Sequence, residues 1–122
     1  MRVLLVDDDA ELRAILEMAL TGIPSTEIIC ANSGEQALSI ALANPVDFVL
    51  TDQKMDGMTG LDLLRALNAR QVFPARGALM MSGEDDDALE QAARSAGANE
   101  FWRKPVSAAK LRRYVAGMAG GD

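Results

Sequence analysis

Val3-Leu4-Leu5-Val6-Asp7-Asp8-Asp9 opens the chain with four consecutive apolar residues followed at once by three carboxylates. An apolar run without alternation suits a strand buried on both faces, and the abrupt acids mark where that strand leaves the interior. Residues 46–50 and 78–81 repeat the short apolar form, while 27–31 and 99–103 are charged strand candidates suited to the edges of a sheet. Helix-period stretches fill the gaps. Leu12, Ile15, Leu16, Ala19 and Leu20 form the first apolar stripe, and Ala37, Ile40 and Ala41 the second, behind a Ser33/Gln36 capping-box spacing. Thr59 and Asp62 give a fainter version of that signal ahead of Leu63, Leu64 and Leu67. Leu89, Ala92, Ala93 and Ala96 line the fourth helix up to Gly97; being mostly alanine, this stripe offers the least apolar area and predicts the least firmly held helix. Ser107 caps the last helix, with Leu111, Tyr114, Val115 and Met118 on its buried face. Five strands alternating strictly with five helices predict an α/β domain with a doubly wound parallel sheet.

A chain of 122 residues suits one such domain. The acids outnumber the bases, 18 to 12, and residues 101–122 hold five of those bases against a single acid. Most of the surface is therefore acidic, which argues against direct nucleic-acid binding. No apolar run approaches the roughly 18 residues of a membrane span, and the N-terminal apolar run is too short for a secretory signal, so a cytoplasmic location is expected. Cys30 is the single cysteine and rules out an intrachain disulfide. Histidine is absent, which removes the commonest zinc ligand and the usual general base. Any metal chemistry must then rest on carboxylates and hard cations.

In a doubly wound sheet, ligands bind beyond the carboxyl ends of the strands. Those positions hold Asp7, Asp8 and Asp9, then Thr51 and Asp52, then Ser82 and Gly83, and finally Lys104 before Pro105. Asp9 suits a helix N-cap. Gathered together, Asp7, Asp8 and Asp52 would repel one another unless a cation lies between them. Mg²⁺, commonly held by one or two carboxylates plus water and phosphate oxygens, leaves a further carboxylate for chemistry. With Lys104 as a mobile positive charge and Ser82 as a hydroxyl donor, the set reads as a phosphoryl-transfer site.

These motifs resemble the receiver domain of two-component response regulators over residues 1–118. The likeness rests on the acids at 7–9, on Leu-Thr-Asp52-Gln-Lys-Met-Asp-Gly-Met-Thr-Gly60, on Met-Met-Ser82-Gly83, and on Ala-Gly97-Ala-Asn-Glu-Phe101-Trp-Arg-Lys104-Pro105. It implies a flavodoxin-like (βα)5 fold with strand order 2-1-3-4-5, and residues 119–122 as a flexible tail or the start of a linker. It also implies that Asp52 is the phosphoacceptor. Asp7, Asp8, Asp52 and the backbone carbonyl of Lys54 would hold Mg²⁺ or Mn²⁺. Ser82 and Lys104 would contact the phosphoryl group, Phe101 would be the switch aromatic, and the bond before Pro105 would be cis. Lys54 and Glu84 would flank the path of hydrolytic water and pair across the site.

The chain departs from the family pattern at Asp56, where proline is usual, and at Phe101, where tyrosine is frequent. The implied donor is a histidine kinase or histidine phosphotransfer protein, since this chain has no histidine of its own. The domain would catalyse only its own phosphorylation and dephosphorylation. A homodimer or effector would meet the fourth helix, fifth strand and basic last helix. A degenerate receiver that binds partners without phosphorylation is the alternative. A phosphatase of the haloacid dehalogenase type shares the Asp7-x-Asp9 pattern but needs an acidic pair after its lysine, and here only Asp122 follows Lys104. A flavin-binding relative would need a phosphate-cradling loop after the first strand. With no effector domain in the sequence, the expectation is a single-domain regulator or a receiver cut from a longer chain.

Overall fold

A computed structural model describes residues 1–84 and 86–120. Its elements alternate as β1 (Arg2–Val6), α1 (Ala10–Leu20), β2 (Glu27–Ala31), α2 (Gly34–Ala43), β3 (Phe48–Asp52), α3 (Gly60–Ala69), β4 (Ala78–Ser82), α4 (Asp87–Ser95), β5 (Ala98–Arg103) and α5 (Ala108–Gly120). All neighbouring strands pair in parallel, in the order β2-β1-β3-β4-β5, as the resemblance implied. The two charged strands, β2 and β5, are the edges.

Successive residues of the central strands feed opposite cores. Leu4 and Val6 pack with Val49, Met80, Leu63, Leu64 and Leu67 on one side. Val3 and Leu5 pack with Leu50, Leu79, Met81, Leu16, Leu20, Leu111 and Val115 on the other. This two-sided burial is why β1, β3 and β4 read as mostly apolar stretches without strict alternation. β3 spans Phe48–Asp52, displaced by two residues from the 46–50 stretch: before it, the Asp47 carboxylate accepts the Arg2 N–H, and at its end the buried stretch continues through Thr51 and Asp52. Polar residues end the apolar run but do not end the strand.

The helix signals hold with three differences. Ser33 accepts the Gln36 N–H, yet Gln36 returns its side chain to the Asn32 N–H rather than to Ser33, so the reciprocal half of that box is displaced by one residue. The fainter Thr59/Asp62 signal, by contrast, is a complete capping box. Ile15, expected within the α1 stripe, is 56% exposed; the buried arc is centred on Leu16 and Leu20, and Ile15 lies off its edge. Of the five helices α4 buries least, with Ala93 alone fully covered. Ala119 and Gly120, expected to begin a tail, continue α5, where Met118 and Ala119 pack against the α1/α5 core. Residues 121 and 122 of that expected tail lie outside the described residues. No helix among the described residues is long and apolar enough to cross a membrane.

The basic last segment is largely engaged within the domain. Arg112 donates from its Nη1 to the carbonyls of Ala19 and Thr21, at 2.9 and 2.7 Å, closing the end of α1. Lys110 places its ammonium 4.5 Å from the centre of the Trp102 ring. The α1 helix has no basic residue in its own last turn, so Arg112 supplies the cation its C-terminal dipole favours. Arg112→Ala is expected to lower folding stability by about 0.5–1.5 kcal/mol, read as a lower urea midpoint; an unchanged midpoint would mean water replaces the guanidinium without loss.

Candidate functional site

The carboxyl ends of β1, β3, β4 and β5 lie side by side, and each contributes part of the site. After β1, the backbone continues its ladder through the Asp7 N–H to the Ala31 carbonyl at 3.2 Å. Asp7 is thereby drawn fully into the interior. Its Oδ1 accepts the Asp9 N–H at 2.9 Å, while Oδ2 is buried without a partner. Asp9 also caps α1, as expected, accepting from Glu11 and Leu12. Asp8 is exposed and accepts the Asp56 N–H on Oδ2 at 3.1 Å. At the end of β3, Asp52 is 4% exposed. Its Oδ1 accepts the Gln53 N–H at 2.9 Å and forms an ion pair with Lys104 Nζ at 2.9 Å.

Ligand oxygens from Asp7, Asp8 and Asp52 lie within 4.8 Å of one another. Burial pushes the Asp7 carboxyl above the usual carboxylate range; the Asp9 N–H opposes that, the Asp52 charge adds to it, Lys104 opposes it and Asp8 adds to it. A hard divalent cation suits this donor set on two counts. The three donors are carboxylates with no thiol or imidazole among them, and Oδ2 of Asp7, the one buried side-chain oxygen without a hydrogen-bond partner among the described residues, belongs to the same cluster.

The loop between β3 and α3 is held from several sides. Gln53 Oε1 accepts the Leu61 N–H at 2.8 Å, and the Gly60 N–H donates to the Gln53 carbonyl at 3.0 Å. Glu35, at the start of α2, accepts the Met58 N–H on Oε2 at 3.2 Å. Gly60 has no room for a side chain, because a Cβ there would meet the Asp52 carbonyl oxygen at 2.3 Å. From the other end of the site, Arg13 donates to the Asp7 carbonyl at 2.7 Å. None of these supports was read from the sequence. Only Gly60 had a signal, a glycine placed directly after the Thr59 cap.

Ser82 ends β4 beside β5, with its hydroxyl accepting the Glu84 N–H at 3.1 Å and its carbonyl accepting the Lys104 N–H at 2.8 Å. Lys54 and Glu84 meet across the mouth of the site, Nζ to Oε1, at 3.4 Å, with Lys54 87% exposed. Phe101 is packed inward against the α3/α4 side of the sheet, and Trp102, the next residue, faces the α1/α5 side. The Lys104–Pro105 peptide bond is cis. The structure thus gathers Asp7, Asp8, Asp52 and Lys104 at one edge, sets Ser82 and the Lys54/Glu84 pair beside them, and places Phe101 below, in the core.

Comparison with known proteins places the chain in a family. The family model described as the response regulator receiver domain matches residues 3–116. The chemotaxis protein CheY of Pseudomonas aeruginosa is 35% identical over 117 residues, which cover 94% of this chain and 93% of that protein. The sensory/regulatory protein RpfC of Xanthomonas campestris is 34% identical over 121 residues, 98% of this chain but 16% of that protein. Among solved structures, the signal receiver domain of the putative response regulator NarL from Mycobacterium tuberculosis superposes with a TM-score of 0.85 at 27% identity, covering 99% of this chain and 97% of that one. The chain belongs to the response regulator receiver domain family. Receiver domains are the signal-transducing modules of two-component systems and interact with kinases and effectors; membership removes the phosphatase and flavin readings. The acidic cluster at 7, 8 and 52 can bind a divalent metal.

Proposed function

We propose that the domain accepts a phosphoryl group on Asp52 from a phosphohistidine of a separate kinase or phosphotransfer protein, in a Mg²⁺- or Mn²⁺-dependent reaction, and thereby changes partner binding. The observation that carries this reading is the Asp52 carboxylate, paired with Lys104 at 2.9 Å and facing two further carboxylates across less than 4.8 Å.

In the transfer, an Asp52 oxygen attacks phosphorus, the P–N bond to the donor histidine breaks, and the imidazole nitrogen retains the bonding pair. The Gln53 N–H and Lys104 ammonium fix the Asp52 carboxylate beforehand, so little reorganisation is needed at the moment of attack. Lys104 then moves its charge from the Asp52 carboxylate to a phosphoryl oxygen, and Ser82 turns its hydroxyl proton toward the same group. Asp7, Asp8, Asp52 and the Lys54 carbonyl would hold a divalent cation, which would supply further neutralisation of the transferring oxygens. Rearrangement at Ser82 and Lys104 would pass along β4 and β5 to Phe101, biasing the α4/β5/α5 surface that meets an effector or second copy. Asp7, Asp8, Asp52, Ser82, Lys104 and Phe101 carry this reading; the domain turns over no other substrate.

Incubation with Mg²⁺ and a small phosphodonor should add one phosphoryl mass to the protein, and chelation or Asp52→Ala should abolish it. Absence of any adduct would favour a receiver that works without phosphorylation, and steady turnover of unrelated phosphoesters would contradict the proposal outright.

The Lys54/Glu84 pair spans the approach for hydrolytic water, so its two members should act together on the lifetime of the phosphorylated state. In stability the exposed pair contributes no more than about 1 kcal/mol. Dephosphorylation rates of Lys54→Ala, Glu84→Ala and the double variant are expected to be non-additive; strictly additive effects would show two independent side chains.

A further inference from the structure

We propose that the Arg13 guanidinium is a positioning group for the divalent cation, holding the Asp7–Asp8 peptide so that the Asp8 carboxylate is aimed at the point it shares with Asp7 and Asp52. This rests on the metal reading above. Asp8 is the exposed member of the three acids, so packing does not fix it as it fixes the buried Asp7 and Asp52. The peptide bonds on either side of Asp8 are each tied instead. The Asp8–Asp9 peptide is held through the Asp9 N–H, which donates to Asp7 Oδ1 at 2.9 Å. The Asp7–Asp8 peptide is held through the Asp7 carbonyl, which accepts from Arg13 Nη1 at 2.7 Å.

The second tie stands in for a strand partner. The Asp7 N–H still reaches β2, at the Ala31 carbonyl. In a parallel ladder the carbonyl of the same residue turns to the same neighbour, where its donor would be the N–H two residues further on, that of Ser33. β2 ends at Ala31, however, and Ser33 is already the N-cap of α2. A partly buried carbonyl left open there would cost free energy, and the guanidinium closes it. Arg13 is well placed to do so, because its own N–H donates to the Asp9 carbonyl at 2.9 Å. One residue of α1 thus grips the chain on both sides of Asp8. Beyond burial and the Asp9 N–H, the charges acting on the Asp7 carboxyl are those of Asp52, Lys104 and Asp8, so Arg13 works on the peptide and not on that carboxylate.

Arg13→Met keeps the apolar stem and removes the donors, whereas Arg13→Lys keeps a donor and the charge. Coulomb's law alone predicts tighter Mg²⁺ binding once a nearby positive charge is removed, so the sign of the change separates positioning from charge. Calorimetry should show Mg²⁺ bound about tenfold more weakly by Arg13→Met, the lower end of the loss seen when a ligand's supporting hydrogen bond is removed. Most of the affinity should return in Arg13→Lys. Unchanged or tighter binding by Arg13→Met, or no recovery in Arg13→Lys, would overturn the inference alone. So would a lower urea midpoint in chelator with the affinity intact, the result of a role in folding only. No saturable Mg²⁺ binding by the wild-type chain would overturn the metal reading and the inference with it. Should Arg13→Met fold poorly, the wild-type protein gives a second reading by nuclear magnetic resonance. The Arg13 Nη protons should appear as separate, slowly exchanging resonances, and a freely averaged guanidinium would contradict the tie.

Discussion

Asp7→Asn should make the metal-free protein more stable at neutral pH, by about 1–3 kcal/mol, the usual cost of a buried polar group left without a partner. The expected gain follows from Oδ2 of Asp7, which is buried and unpaired while two other carboxylates stand within 4.8 Å. Asparagine keeps an oxygen for the Asp9 N–H and turns an amide toward Asp8 and Asp52, replacing a repulsion with an attraction. The pH dependence has a definite sign. Burial raises the folded-state pKa of Asp7 above its unfolded value, so the folded protein binds more protons than the unfolded chain between those two values. Its contribution to stability is full below the unfolded pKa, near 4, and is lost as pH rises through the raised folded value. The advantage of Asp7→Asn should accordingly grow from about pH 4 upward and then level off. Mg²⁺ should stabilise the wild type and do so less for the variant. Urea unfolding in chelator at a series of pH values tests this, and a variant less stable than wild type at pH 7 would contradict it.

Gly60→Ala should have the largest effect in the opposite direction, a loss of about 3 kcal/mol, at the top of the range for overpacking. The obstacle is not backbone conformation but contact. A Cβ at residue 60 would lie 2.3 Å from the Asp52 carbonyl oxygen and 3.1 Å from the Gln53 Cα, both main-chain atoms at the end of a buried central strand. Relief requires α3 to move away from β3, or the end of β3 to shift and carry the Asp52 carboxylate with it. Stability and phosphoryl acceptance should therefore fall together. Gly34 is the contrasting case: its added Cβ would meet the Met58 Cβ and Cγ at 2.9 Å, so relief there needs residue 58 and its loop to shift, not the end of a buried central strand. Thermal unfolding of the two alanine variants should separate them clearly; a Gly60→Ala protein as stable as wild type would contradict the packing argument.

The order of elements was legible in the sequence because a doubly wound sheet buries its central strands on both faces, leaving apolar runs at 3–6 and 78–81 that no exposed element would need. The boundary at β3 was less legible, since Thr51 and Asp52 are polar yet remain buried and in the ladder. The reacting groups could be read because each lies at or just beyond the carboxyl end of a strand, and strand ends in this architecture converge. The groups that steady them could not. Glu35 reaches the β3–α3 loop from α2, Asp56 reaches Asp8 across 48 residues, and Arg13 grips a carbonyl. Such contacts depend on where two distant segments meet, and no local spacing encodes them. The charge count showed a basic last segment but not how its side chains are held: Arg112 is directed at the end of α1 and Lys110 at the Trp102 ring.

The central claim is that Asp52, and no other acid of the cluster, becomes the acyl phosphate. Mass mapping after phosphorylation with a small donor in Mg²⁺ and reduction with borohydride addresses it directly, because reduction converts the phosphorylated carboxyl to an alcohol and leaves free carboxylates untouched. The expected product carries homoserine at position 52 alone and disappears when Mg²⁺ is chelated. Homoserine at Asp7, Asp8 or Asp56, with position 52 unmodified, would contradict the account.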